Sequence, residues 1–123
     1  MISIKMLDRL QVGPCPGTGS DLKQLRSQGV KIIICLLTHQ ELRSYRLLDY
    51  PGLVQKYGMT FYHIPIRHQI SRRMLSPMRS FLAARLSTGK AYIHSWHQAR
   101  ATRLSQLLQR DDSLSSLVSS HSS

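Results

Sequence analysis

The sequence predicts an α/β fold in which helices flank a short central sheet of about four strands, most of them parallel. Residues 30–37 form an apolar, β-branched run without polar alternation, which is typical of a strand buried on both faces of a parallel sheet. Strand-like segments alternate with helix-like segments along the chain, as they do in β-α units. Together these two observations predict the fold class before any motif is considered.

The first strand and the first helix precede the buried run. Residues 4–12 predict a strand, and the Pro- and Gly-rich residues 13–17 predict the loop that ends it. Ser20 is the predicted N-cap of the following helix, because Asp21 stands in its first turn. Gly29 ends that helix, at the point where a left-handed backbone is favourable.

Two short helices and a third strand follow the buried run. Thr38 and Glu41 have the spacing of a capping box, which predicts the start of one helix. Pro51 predicts the start of another, which Gly58 ends. Residues 59–66 alternate loosely between apolar and polar side chains and predict the third strand.

The last third of the chain supplies a helix, a short strand and a final helix. Apolar residues at helical spacing predict a helix over residues 76–89. Residues 91–94 predict the fourth strand, and Thr102 stands at the predicted start of the last helix. We place one domain at residues 4–110 and a serine-rich, disordered tail at residues 111–123.

Composition bounds the function without specifying it. The 123 residues leave room for one domain, and 17 Lys and Arg against 6 acidic residues give a formal net charge of +11. Such a surface attracts polyanions: nucleic acid, acidic lipid, a phosphoprotein or an acidic protein. We expect a cytoplasmic protein with no transmembrane segment, since no apolar run is long enough to span a bilayer. The two cysteines, Cys15 and Cys35, are too few for a disulfide framework.

Three segments of the sequence resemble a known family. The segments are residues 7–17, 61–66 and 89–94, supported by Asp21-Leu22, Gly29-Val30, Leu36-Leu37-Thr38 and Glu41-Leu42. They are similar to the opening, the strand before the acid loop and the strand before the phosphate-binding loop of dual-specificity and kinase-associated cysteine phosphatases, in the protein tyrosine phosphatase superfamily. The resemblance covers about residues 4–110 and implies a phosphatase-like fold that is C-terminally short.

The active loop of that family contains His-Cys, two residues, Gly, two residues, Arg, and then Ser or Thr. The cysteine attacks as a thiolate, loop amides and the arginine hold the phosphate, and an aspartic acid from the preceding loop protonates the leaving oxygen. The positions of this chain that match the pattern are His94, Ser95 for the cysteine, Gln98 for the glycine, Ala101 for the arginine, Thr102 for the hydroxyl and Arg67 for the acid.

The resemblance therefore implies a domain that lacks nucleophile, arginine and general acid, with no catalytic residue intact. We expect a pseudophosphatase that binds a phosphorylated or acidic partner, and the resemblance leaves open whether any enzyme activity remains. We expect neither a cofactor nor a metal, because His94 and His97 have no further ligands nearby in the sequence. The candidate anion-binding residues are Ser95, Arg100, Arg103 and Arg67.

Three alternatives stay open. Residual phosphoprotein phosphatase activity requires His97 to act as a base for Ser95, or Arg100 to replace the missing arginine in a shifted loop register. A basic adaptor binds nucleic acid or acidic lipid instead, and its binding weakens steeply with salt. Self-association follows if the short C-terminal part leaves one face of the sheet uncovered.

Overall fold

The protein has an α/β fold with one four-stranded sheet and helices on both of its faces. The computed structural model describes residues 9–47, 49–66, 70–86 and 89–118, with side chains through residue 108. The strands are β1 (Leu10–Val12), β2 (Val30–Cys35), β3 (Thr60–His63) and β4 (Lys90–His94). The helices are α1 (Gly19–Ser27), α2 (His39–Ser44), α3 (Tyr50–Lys56), α4 (Leu75–Arg85) and α5 (Gln98–Val118), and a 3₁₀ turn (Arg72–Met74) precedes α4.

All four strands pair in parallel, in the order β1-β4-β2-β3. β2 and β4 form the central pair, in which Ile33 lies opposite Tyr92 and Cys35 lies opposite His94. None of the side chains at residues 32–37 is more than 2% exposed. The predicted fold class and the strand buried on both faces are confirmed.

Alternate residues of β2 point to opposite faces of the sheet. Ile32 and Ile34 belong to the core cluster that α4 and α5 cover, whereas Ile33 and Cys35 belong to the cluster that α1 and α3 cover. Leu104 of α5 is fully buried in the first cluster. Within the described residues, both α4 and α5 pack against this face of the sheet. Self-association stays a prediction.

Side-chain caps position two of the helix starts. The capping box at α2 is confirmed: the Thr38 N–H donates to Glu41 Oε1 at 2.9 Å, and the Glu41 N–H donates to Thr38 Oγ1 at 3.2 Å. At α1 the N-cap is Thr18, whose Oγ1 accepts the N–H of Asp21 at 3.1 Å. The prediction of Ser20 is wrong because Thr18 has an extended backbone while Ser20 is already helical.

The edge strands are shorter than the sequence predicts. β1 begins at Leu10, and residues 4–8 of the predicted strand lie outside the described residues. β3 covers four residues instead of 59–66, although the chain continues beside β2. The N–H of Ile64 still donates to the carbonyl of Cys35 at 2.9 Å, and the N–H of Ile66 to the carbonyl of Leu36 at 3.0 Å.

The last helix is longer than the sequence predicts at both ends. α5 begins at Gln98 and not near Thr102, and it continues to Val118, through much of the segment expected to be disordered. The chain has no Gly or Pro between residues 98 and 118, so no residue there interrupts the helix. Neither α5 nor any other helix in the described part of the chain has the length and apolarity needed to cross a membrane. The limits of the domain, 4–110, stay a prediction.

The corrected N-cap of α1 yields a direct test. Thr18→Ala should lower the free energy of unfolding by about 1 kcal/mol, because the N–H of Asp21 loses its acceptor. Ser20→Ala, two residues away, should stay within about 0.5 kcal/mol of the wild type, since it is exposed within the helix. Urea unfolding followed by circular dichroism measures both. A larger loss of stability from Ser20→Ala than from Thr18→Ala would show that Ser20 is the N-cap.

Candidate functional site

The carboxyl ends of parallel strands are where ligands bind in open α/β sheets. β4 ends at His94, and the loop of residues 95–97, here called the β4–α5 loop, leads into α5. The sequence places the phosphate-binding positions at residues 95–102. In the structure the positions from Gln98 onward already lie in α5, so only three residues remain in the loop.

Ser95 stands where the resembling family has its nucleophilic cysteine, and its side chain is 4% exposed. Its hydroxyl donates to the carbonyl oxygen of His97 and accepts the N–H of Ala101 at 3.2 Å. The hydroxyl therefore joins the β4–α5 loop to the first turns of α5. The acceptor on His97 is its backbone carbonyl, and this oxygen cannot serve as a base for Ser95.

The other aligned positions have unlike environments. Ala101, at the arginine position, is fully buried in the core cluster beneath α4 and α5. Gln98, at the glycine position, is exposed at the start of α5, and Thr102 is half-buried one turn later. The structure thus brings Ser95 and Ala101 together through a backbone hydrogen bond, while the Ala101 side chain packs into the core.

The arginines proposed for anion binding have separate roles. Arg100 Nη1 donates to the carbonyl oxygen of Ile66 at 2.7 Å, which ties the segment after β3 to α5. One N–H of that guanidinium is therefore bound to the backbone, and the role of Arg100 in anion binding stays a prediction. Arg103 is exposed one turn further along α5. Arg67, at the acid position, lies outside the described residues.

The first turn of α5 carries the backbone donors that an anion could use. The N–H of Arg100 donates to the carbonyl of His97 at 2.9 Å, and the N–H of Ala101 donates to Ser95. The first N–H groups of a helix have no partner within it. Among the described residues, the remaining donors of this turn are the N–H groups of Gln98 and Ala99, and these form the positive end of the helix dipole.

His94 is buried at the end of β4, with 0% of its surface exposed. Its ring packs edge-on against Tyr50, with 5.6 Å between ring centroids, and lies near Tyr92. Neither ring nitrogen has a hydrogen-bond partner among the described residues. Burial, with a smaller contribution from His63, lowers the pKa of His94 to about 4, so the ring is neutral at physiological pH.

Two more histidines lie at this edge of the sheet. His63 Nε2 pairs with the carbonyl of Leu37 at 2.5 Å, and the His63 ring lies edge-on to His39, with 5.2 Å between centroids. Within the residues that the structure describes, no three His, Cys, Asp or Glu side chains converge to form a metal site. These rings pack against one another as part of the aromatic layer that also contains Tyr50 and Phe61.

Both thiols of the chain are protonated at neutral pH. Burial raises the pKa of Cys15 to about 11, although a hydrogen bond with Tyr50 opposes the shift. Burial likewise raises the pKa of Cys35 to about 12. A reactive cysteine needs a lowered pKa and an exposed, positive setting, and neither thiol has one.

Two aromatic side chains lie together outside the core, beside the β4–α5 loop. Trp96 of the loop is 39% exposed and Tyr45, at the C-terminal end of α2, is 44% exposed. Their ring centroids are 5.2 Å apart, at an interplanar angle of 50°. They are the two large hydrophobic side chains that the described part of the chain exposes. No motif near Tyr45 predicts this contact, because Trp96 lies 51 positions further along the chain.

Comparison with known proteins places the fold. No protein-family model matches the chain, and no curated protein matches it significantly. A crystal structure of kinase-associated phosphatase, with its catalytic-site cysteine replaced by serine, is 22% identical and gives a TM-score of 0.66; the match covers 93% of this chain and 79% of that one.

A second solved protein, "Putative phosphatase (DUF442)" from Shewanella putrefaciens CN-32, has been determined in two structures that are each 18% identical to this chain. Their TM-scores are 0.71 and 0.72, and the matches cover 90% and 92% of this chain and 78% and 76% of those chains. At these identities the likeness is one of fold. The α/β fold described above is therefore phosphatase-like.

The buried, neutral His94 predicts an acid-sensitive fold. The unfolded chain takes up a proton at this residue below pH 6.5, while the folded ring resists protonation until about pH 4, so stability falls between these values. The total loss is roughly 3 kcal/mol, from the difference between the two pKa values.

The measurement compares urea unfolding of the wild type and of His94→Leu at pH 7.5 and near pH 4.5. His94→Leu should lose less stability on acidification than the wild type, and His97→Asn, which changes an exposed ring of the same loop, should lose the same amount as the wild type. An identical pH dependence in the wild type and in His94→Leu would show that His94 is not the responsible group.

Proposed function

We propose that this chain is a pseudophosphatase: a phosphatase-like binding module that holds a phosphorylated or acidic partner and does not hydrolyse phosphoesters. The observation that carries the proposal is the position of the Ser95 hydroxyl, which is bonded on both sides to backbone groups of its own loop and helix. A hydroxyl in this position stabilises the loop and is not presented to a substrate.

The chemistry of nucleophilic attack supports this assignment. A serine attacks only when a neighbouring base takes its proton, and the proton of Ser95 is donated to the backbone carbonyl of His97. Attack also requires donors that hold the charge of the transferring phosphoryl group. Ala101 offers no such donor, and the guanidinium of Arg100 is bound to Ile66.

The capacity to bind an anion rests on different groups. Among the described residues, the N–H groups of Gln98 and Ala99 are left without a partner at the positive end of a 21-residue helix, in a protein of net charge +11. The exposed Arg103 adds a positive charge one turn away. Backbone donors do not depend on side-chain identity, so phosphate binding survives the loss of the catalytic side chains. Single-anion contacts of this kind support affinities of about 1 mM or weaker.

An assay with a generic aryl phosphate tests the catalytic half of the proposal. The wild type should give no turnover above background, and Ser95→Cys alone should not restore it. A thiolate at this position still lacks the arginine, worth about 3 to 4 kcal/mol, and the general acid, worth roughly 100- to 10,000-fold in rate.

Two controls sharpen the assay. The combined variant carries Ser95→Cys, Gln98→Gly, Ala101→Arg and Arg67→Asp. Ala101→Arg places a guanidinium in a fully buried position and can therefore unfold the protein. Circular dichroism has to show that this variant folds before its activity is interpreted. The wild type and Ser95→Cys are therefore the decisive arms. Appreciable wild-type turnover that Ser95→Ala abolishes would overturn the proposal.

Amide chemical shifts test the binding half. Addition of phosphate at about 10 mM should move the amide resonances of Gln98 and Ala99, while chloride at matched ionic strength should not. The amide of Ala101 serves as the internal control, because Ser95 already occupies it. Shifts that are equal for phosphate and chloride would remove the anion site.

A further inference from the structure

We propose that Tyr45, Trp96, Arg43 and Arg46 form a docking surface for an acidic protein segment that carries an aromatic or aliphatic side chain. This surface is here called the α2 surface. It would hold the acidic partner of the proposed binding module, so the inference rests on the proposed function. It uses side chains beside the β4–α5 loop and not the helix N–H groups discussed above.

The aromatic pair is the first ground for the proposal. Among the described residues, Tyr45 and Trp96 are the large hydrophobic side chains that are exposed, at 44% and 39%, and their rings contact each other. Exposed aromatic groups of this kind mark sites of protein interaction, and Tyr, Trp and Arg are the residues that contribute most to such interfaces. Neither ring is needed to fill the core.

The backbone at Arg46 is the second, independent ground. Arg46 is the non-glycine residue with a positive φ among those described, at 59°. It follows the end of α2, where its N–H donates to the carbonyl of Arg43 at 2.9 Å and the N–H of Leu47 donates to the carbonyl of Leu42 at 2.8 Å. Glycine is the usual residue at this position of a helix end. An arginine with this left-handed backbone lowers the stability of the folded state. We infer that its exposed guanidinium is kept for binding and not for the fold.

Charge identifies the occupant as acidic. Arg43 and Arg46 are exposed, and neither guanidinium has a hydrogen bond or ion pair with a described residue. The acidic residue of α2, Glu41, is bound in the capping box with Thr38 and makes no ion pair with either arginine. A surface with two free guanidinium groups therefore complements carboxylates.

A hollow beside Arg46 provides room for a side chain of the partner. Its volume is about 330 Å³, and its apolar lining comes from Leu47, Leu53 and Tyr50. Arg46 and Lys56 outweigh Asp49 in charge around its mouth. This combination fits a peptide with an apolar residue between acidic ones.

The geometry of the pair disfavours nucleic acid as the occupant. Bases stack on aromatic rings whose faces are free. The rings of Tyr45 and Trp96 are inclined at 50° with their centroids 5.2 Å apart, so each covers part of the other. A peptide side chain can pack along the edge of such a pair without separating the rings.

The test uses a labelled peptide of about ten residues in which acidic residues surround one phenylalanine. Fluorescence anisotropy of the label measures its Kd, and the emission of Trp96, the single tryptophan of the chain, reports whether binding occurs at the α2 surface. We expect saturable binding with a change in Trp96 emission. Replacing the acidic residues of the peptide with lysine should abolish both signals.

Variants locate the site. Tyr45→Ala and Arg46→Gly should each raise the Kd about fivefold or more. Arg46→Gly also suits the backbone at this position, so it should fold at least as well as the wild type. Lys31→Gln removes the same charge from an exposed residue at the amino end of β2, at the opposite end of the strands from the α2 surface. This variant should change the Kd less than about twofold.

Three outcomes would overturn the inference. They are equal weakening by Lys31→Gln and Arg46→Gly, binding without a change in Trp96 emission, and tighter binding of a single-stranded oligonucleotide than of the acidic peptide at the same salt concentration. The acidic peptide contains no phosphate, so a failure of peptide binding leaves the responses of Gln98 and Ala99 to phosphate as a separate test of the proposed function.

Discussion

The parallel pairing of β2 with β4 in the middle of the sheet is the interaction on which the rest of the structure depends. Apart from Lys31 and Lys90 at their amino ends, both strands are covered on both faces, which favours apolar side chains in either direction. This requirement accounts for the long apolar run at residues 30–37 and for the helices on both sides. It also places the end of β4 in a dry environment, in which His94 is neutral.

The loop after β4 takes its properties from that environment. Ser95 directly follows the buried strand β4 and is itself almost fully buried, so its hydroxyl needs hydrogen-bond partners within the protein. It finds them in the carbonyl of His97 and the N–H of Ala101, and this bridge closes the loop against α5. The Ser95 hydroxyl is thus bonded within its own loop and helix, whereas the N–H groups of Gln98 and Ala99 are left without a partner among the described residues. The proposed binding function therefore rests on these N–H groups and not on the Ser95 hydroxyl.

The fold was predictable because its signals are local, while much of the site was not. The apolar run of β2 and the capping box of Thr38 and Glu41 each lie within a few residues, and both are confirmed. The cap of α1 was misplaced because Thr18 and Ser20 are both good cap residues, and the path of the preceding loop decides between them. The bond from Ser95 to the Ala101 amide and the pairing of Tyr45 with Trp96 are contacts that only the folded structure shows.

The central claim is that the Ser95 hydroxyl is a structural bridge. Hydrogen exchange at the Ala101 amide reports on that bridge, since this amide donates to the Ser95 hydroxyl. In the wild type this amide should be protected, and Ser95→Ala should speed its exchange about tenfold while the amide of Leu104 exchanges as before. Unchanged exchange at Ala101 in Ser95→Ala would contradict the claim and would leave the hydroxyl free for chemistry.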